Sequence, residues 1–153
     1  MDRASVDRRS SQLDEIAEAL PQRSSALSRL FLTRTSVCVS RTEVGVLRSL
    51  RTGSRRITEL AAEERVTQPA ITLLVNRLQE RGWVDRIPDP SDGRAVLVSL
   101  TPAGDEVFEQ LRTEYRALLH EEMASLDDTE VETLAAAVEI LDKLIDRLRE
   151  REA

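Results

Sequence analysis

Two short helical patterns joined by a tight turn fill residues 57–82, which read ITELAAEERVTQPAITLLVNRLQERG. Thr58 is a candidate N-cap for the first helix, and Thr67 is a candidate N-cap for the second. The second helix would bury one apolar stripe, formed by Ile71, Leu74, Val75 and Leu78. Gly82 marks its end, because glycine favours the left-handed conformation that closes helices. The stretch therefore predicts a helix-turn-helix.

The outward face of the second helix is mostly polar. With the apolar stripe turned to the core, the side chains facing out are Gln68, Pro69, Thr72, Leu73 and Asn76, with Arg77 at the boundary. Amide, hydroxyl and guanidinium groups on such a helix can hydrogen-bond base edges in the major groove. An ordinary amphipathic helix presents a similar face to water, so this pattern alone leaves both interpretations open.

A hairpin with a polar tip follows the helices. Two short β-branched runs, residues 83–87 and 95–100, flank the segment Pro88–Arg94. Arg94 comes two residues after Asp92, so the carboxylate can hold the guanidinium extended at the tip. Such an arginine fits a narrow minor groove. The alternative is a turn with an exposed ion pair worth less than about 1 kcal/mol. Hairpin and helices together predict a winged helix-turn-helix.

The segments on either side carry apolar helical stripes. Pro21 interrupts the first one, so that helix is expected to be either kinked or restarted there. The stripes contain Leu13, Ile16 and Leu20 near the N-terminus, and Leu134, Val138, Leu141, Ile145 and Leu148 near the C-terminus. A chain of this length would not leave so much apolar surface in water, so a homodimer is predicted.

Capping signals place the remaining helices. Ser40 with Glu43 and Asp127 with Glu130 both form capping-box patterns, and Thr101–Pro102 opens the helix after the hairpin. The predicted fold is mainly α with a small β-hairpin wing. Its parts are an N-terminal dimerisation helix (1–40), a winged helix-turn-helix DNA-binding lobe (41–101) and C-terminal dimerisation helices (102–153).

Charge is segregated along the chain. The net charge is −6 overall, but it is +2 over residues 41–101 and −9 over residues 102–153. All the positive charge of the middle segment is arginine. An acidic protein can therefore still present a mildly basic surface to a polyanion.

Residue counts argue against catalysis, a zinc site and a membrane span. The chain has one Cys and one His, whereas zinc takes three or four ligands of these types. No nucleophile motif or glycine-rich phosphate loop is present, so neither an enzyme nor a cofactor is expected. Cys38 lies between Val37 and Val39 and is expected to be a buried, unreactive thiol; a redox-sensing regulator is the alternative. The expected location is the cytoplasm, away from membranes.

Five short stretches together resemble the multiple-antibiotic-resistance regulator (MarR) family. They are Ile57–Ala61 (ITELA), Val66–Thr72 (VTQPAIT), Leu78–Val84 (LQERGWV), Asp89–Ala95 (DPSDGRA) and Ser99–Gly104 (SLTPAG). The Asp-x-Arg wing, followed by a strand and Leu-Thr, is the most specific part. The flanking helical segments agree with the family in length and order.

The resemblance implies a triangular homodimer that binds a pseudo-palindromic operator. It also implies that the dimer releases the operator when a small aromatic or lipophilic effector binds. Carried onto matching positions, the implied DNA contacts are Thr58, Thr67, Gln68, Pro69, Thr72, Arg77 and Arg94, with Asp92 orienting Arg94. Leu73 stands where the family often has Arg or Gly. Either a polar contact is absent there, or an apolar contact to a thymine methyl replaces it. The alternative function is a protein-interaction module that keeps the winged fold without binding DNA.

Overall fold

The fold is a winged helix-turn-helix lobe flanked by longer helices. A computed structural model describes residues 3–92 and 95–151, so the hairpin tip at Arg94 lies outside the described residues. Its elements are α1 (Arg3–Arg34), α2 (Arg41–Leu50), β1 (Arg55–Arg56), α3 (Ile57–Glu63), α4 (Gln68–Glu80), β2 (Val84–Pro88), β3 (Val96–Leu100), α5 (Pro102–Met123) and α6 (Asp128–Glu150). The predicted mainly helical fold with a hairpin wing is confirmed.

A small antiparallel sheet forms the wing, with strand order β1-β3-β2. The predicted hairpin is present, with Val84 opposite Leu100 and Pro88 opposite Val96. The sequence did not predict β1, which pairs Arg55 with Val98. A strand of two residues is too short to show an alternating pattern, so only its pairing with β3 reveals it.

The core of the lobe lies between α2, α3, α4, the sheet and the start of α5. Its buried residues are Val46, Leu47, Leu50, Leu60, Ala61, Ile71, Leu74, Val75, Leu78, Val84, Val98 and Phe108. The predicted apolar stripe of α4 is fully represented among them. Because the stripe is buried, the opposite face of α4 is turned away from the core.

Helix α1 runs without a break from Arg3 to Arg34, with Pro21 inside it. The possibility that the helix restarts at Pro21 is therefore wrong. Proline removes one backbone donor but has a helical φ, so the helical pattern on both sides can continue through it. Leu13 and Ile16 are each 57% exposed, and Leu20 is half-buried.

Two capping boxes form as predicted. The Ser40 hydroxyl accepts from the Glu43 amide at 3.2 Å, and the Glu43 carboxylate accepts from the Ser40 amide at 2.7 Å. Asp127 and Glu130 repeat this arrangement at the start of α6.

The prediction that Thr58 caps α3 is wrong. That helix starts at Ile57, and its N-cap is Arg56. The Arg56 amide donates to Glu59 at 2.7 Å, so a carboxylate three residues on selects the start of the helix.

The chain divides into two compact units, the first ending at Glu114 and the second starting at Tyr115. In the second unit, no residue of α6 is buried. Its exposed apolar side chains include Leu134, Val138, Ile145 and Leu148, while Leu141 is half-buried. Within the described residues, no helix is long and apolar enough to cross a membrane.

Candidate nucleic-acid interface

The start of α4 is held by a tight turn and a side-chain cap. Arg65 has φ 52°, which reverses the chain after α3, and the Val66 amide donates to the Ala61 carbonyl at 3.0 Å. The Thr67 hydroxyl then accepts from the Ala70 amide at 3.4 Å, as predicted. Pro69 lies in the first turn, where a missing amide proton costs nothing. The remaining amides at this helix start form a site that favours phosphate.

The predicted contact residues on the outward face of α4 differ in how exposed they are. Gln68, Pro69, Leu73 and Arg77 are exposed, while Thr72 and Asn76 are half-buried. Thr58, in the first turn of α3, is also exposed. The helix-turn-helix therefore brings most of the predicted residues to open surface.

The hydroxyl proton of Thr72 takes part in a hydrogen bond within α4. Its hydroxyl donates to the Gln68 carbonyl at 2.8 Å. The oxygen lone pairs and the methyl group are what Thr72 can still offer to a base. It can accept a hydrogen bond from an amino group, but donating one would break the internal bond.

Asn76 is engaged by an arginine that the sequence did not single out. Arg86 on β2 donates to the Asn76 side-chain oxygen at 2.6 Å and also bonds Gln79. This bridge fixes strand β2 of the wing to α4. It uses one of the two lone pairs of the Asn76 oxygen, so Asn76 can still offer a base its NH₂ group and one lone pair, in an orientation set by Arg86.

A buried carboxylate anchors the base of the wing. Asp89 is only 6% exposed. It accepts hydrogen bonds from the hydroxyl and amide of Ser91, at 2.7 and 2.8 Å, and from two nitrogens of Arg56, at 2.6 and 3.1 Å. The Ser91 hydroxyl and the Arg56 guanidinium hold the pKa of Asp89 well below its usual range. The hydrogen bond to the Asp89 carboxylate and its charge in turn raise the pKa of Arg56. The wing is thus tied to β1 by a charged hydrogen-bonded pair.

Sequence reasoning missed Asp89 and assigned the organising role to Asp92. A usable signal was present, because Asp followed two residues later by Ser is a common Asx-turn pattern. Asp92 closes the turn through its backbone: its amide donates to the Asp89 carbonyl at 3.3 Å and its carbonyl accepts from Ala95 at 2.8 Å. Its predicted contact with Arg94 involves a residue outside the described part of the chain.

Asp89→Asn is expected to weaken DNA binding about tenfold and also to lower the melting temperature, because Arg56 loses its ionic partner and the wing loses its anchor. Affinities are therefore compared at a temperature where the variant and the wild type are both folded. Asp85→Asn, an exposed carboxylate on β2, is the matched control. Fluorescence anisotropy with labelled duplex measures both variants. Equal affinity of Asp89→Asn and the wild type would show that the Asp89 anchor does not contribute to DNA binding.

The pH dependence of this anchor has a definite sign. Folding lowers the pKa of Asp89, so its ionised form stabilises the folded state above the unfolded pKa of about 4. That contribution is lost as the pH falls from there toward the lower pKa of the folded state.

Cys38 is exposed, so the prediction of a buried thiol is wrong. The connection between α1 and α2 is irregular, and Val37 and Val39 on either side are half-buried. Alternate residues of an extended segment point to opposite sides, so burying both valines turns the thiol outward. Arg81 fixes the segment by donating to the Cys38 carbonyl at 3.2 Å.

Comparison with known proteins gives one consistent result. A profile described as the MarR family matches residues 39–96. The multiple antibiotic resistance protein MarR of Salmonella typhimurium is 38% identical over 98 residues, which cover 63% of this chain and 68% of that protein. An uncharacterized HTH-type transcriptional regulator of Mycobacterium bovis, Mb0904, is 38% identical over 87 residues. That match covers 57% of this chain and 61% of the relative, so the chain spans about three-fifths of its length.

Solved structures extend the likeness beyond the lobe. The apo crystal structure of Escherichia coli MarR superposes with a TM-score of 0.66 at 30% identity. The superposition covers 84% of this chain and 96% of that one. Helices on both sides of the winged lobe therefore have counterparts in that structure.

Proposed function

This chain belongs to the MarR family of transcriptional regulators, and we propose that it binds a pseudo-palindromic operator in double-stranded DNA as a homodimer. Binding to this operator represses transcription by excluding RNA polymerase. The protein acts in the cytoplasm. The observation that carries the proposal is the pairing, in one lobe, of an outward-facing polar helix α4 with a wing anchored through Asp89. No catalytic step is required of such a protein.

The recognition helix α4 reads bases from the major groove. Its capped N-terminus faces a phosphate, and Gln68 and Thr72 lie within the first turns, where side chains reach base edges. Arg77 is exposed in the last turn and contacts a phosphate or a guanine. Thr58 at the start of α3 contacts the backbone, which positions the lobe without reading sequence.

Dimerisation is assigned to the flanking segments, 1–40 and 102–153, and DNA binding to residues 41–101. Exposed apolar side chains on α1 and α6 support this division, because a second copy of the chain would remove them from water. Two lobes related by a twofold axis reach half-sites about one helical turn apart. A small aromatic or lipophilic molecule then releases the DNA, as the family resemblance implies.

Anisotropy titration against DNA from upstream of the protein's own gene tests the proposal. The expected result is binding that survives an excess of random duplex and saturates at one dimer per site. If both duplexes compete equally and binding vanishes near physiological salt, the protein-interaction alternative replaces this proposal.

Arg94→Ala is expected to weaken operator binding about tenfold and to lower the salt slope by about one unit per half-site, because an arginine in the minor groove releases counterions. Arg147→Ala removes the same charge from α6, outside the proposed DNA interface. It should change neither the affinity for the operator nor the salt slope. The comparison is made by titration at several salt concentrations. An unchanged slope for Arg94→Ala would exclude a groove contact.

A further inference from the structure

Leu73 is the most exposed large apolar side chain in the described part of the chain, at 64%. It lies in the N-terminal half of α4, on the face turned away from the core. Pro69 and Ala70, one turn earlier on the helix surface, are also exposed. The three residues form a small apolar patch between the polar groups of the recognition helix.

The polar neighbours of this patch have part of their hydrogen-bonding capacity already in use. Thr72 donates its proton to the Gln68 carbonyl, and the Asn76 oxygen accepts from Arg86. Direct hydrogen-bond readout by these two residues is correspondingly restricted. An apolar contact beside them would therefore add discrimination that the polar groups cannot supply.

The major groove offers one apolar group of matching size. Thymine carries a methyl group at C5, whereas the other three bases present only hydrogen-bonding groups and ring edges there. The patch is a single leucine with two small flanking residues, which suits one methyl group better than a broad protein surface. Residues in this half of a recognition helix are the ones that reach base edges.

We propose that Leu73 selects the operator by packing against the 5-methyl group of a thymine in each half-site. The inference rests on the proposed DNA-binding function. It adds that one position per half-site is chosen by an apolar contact. Leu73 is thereby a specificity-determining residue, and an A·T pair with its thymine on the contacted strand is preferred at that position.

Deoxyuridine in place of thymine removes only the methyl group and gives a direct test. An operator is first obtained by selecting bound duplexes from a random library with the wild-type protein. Each thymine of one half-site is then replaced in turn by deoxyuridine. Affinities are measured for the wild type, Leu73→Ala and Leu73→Met. Val96→Ala is the control, because it shortens an exposed apolar side chain on β3.

When one particular thymine in the half-site is replaced by deoxyuridine, the affinity of the wild-type protein is expected to fall about fourfold. This is the effect of no longer burying one methyl-sized group. Leu73→Ala should bind the duplexes with thymine and with deoxyuridine at that position equally well. The melting temperature of the Leu73→Ala protein should equal that of the wild-type protein. Leu73→Met and Val96→Ala should keep the wild-type ratio. A purely structural role for Leu73 would lower all affinities without changing this ratio.

Two outcomes overturn the inference while leaving DNA binding intact. One is an operator whose thymines can all be replaced by deoxyuridine without loss. The other is a Leu73→Ala variant that discriminates as strongly as the wild type. A selection that enriches no sequence overturns the proposed function itself, and the inference falls with it.

Discussion

Leu141→Asp is expected to split the proposed homodimer into monomers and to weaken operator binding by at least about 100-fold. Leu141 lies in the middle of the α6 stripe, which alternates steps of three and four residues from Val131 to Leu148. A carboxylate there would be buried without a partner in the dimer, which costs several kcal/mol. Monomers would then contact only one half-site at a time and lose the advantage of simultaneous binding.

Light scattering gives the mass of the variant, and anisotropy gives its affinity for DNA. Ala136→Asp is the matched control, because it adds the same charge to an exposed position on the opposite side of the heptad pattern. The control should remain dimeric. A Leu141→Asp protein that stays dimeric would place the interface elsewhere on the chain.

Gly104→Ala is expected to lower the free energy of unfolding by about 3 kcal/mol, at the upper end of the usual cost of overpacking. A Cβ at Gly104 would clash with the Trp83 backbone oxygen and lie 2.8 Å from a methyl carbon of Leu100. The junction cannot easily move away. The Thr101 amide donates to the Trp83 carbonyl at 3.1 Å, and the Thr101 hydroxyl donates to the Gly82 carbonyl at 2.7 Å.

Chemical denaturation of Gly104→Ala and Gly82→Ala separates two effects of removing a glycine. Gly82 has φ 74° and no atom within 4 Å of an added Cβ, so alanine there brings backbone strain alone, about 1 kcal/mol. The Gly104 variant should therefore be clearly the less stable of the two. Equal stability would mean that α5 is not packed closely against the end of α4.

The sequence predicted the features that depend on local rules. Both capping boxes were correct, because the interacting groups are three residues apart in the chain. The buried face of α4 was correct, since its period of 3.6 residues leaves only one apolar side. The hairpin followed from two β-branched runs around a polar turn.

Features that depend on distant contacts could not be predicted in the same way. β1 is a strand because Arg55 and Arg56 pair with Val98 and Leu97 of β3. Asp89 gains its role in the candidate interface from Arg56, and Asn76 is constrained by Arg86. No local pattern in the sequence specifies these partners. Thr58 is not the N-cap for a different reason: Glu59 accepts a hydrogen bond from the amide of Arg56, two residues before Thr58.

Selection of bound duplexes from a random library tests the central claim most directly, since it requires both sequence readout and a dimer. The predicted result is enrichment of an inverted repeat whose half-site centres lie about 10 base pairs apart. Leu141→Asp protein, carried through the same selection, should lose the enrichment. Failure of the wild-type protein to enrich any sequence, or enrichment of a single unrepeated site, would contradict the account.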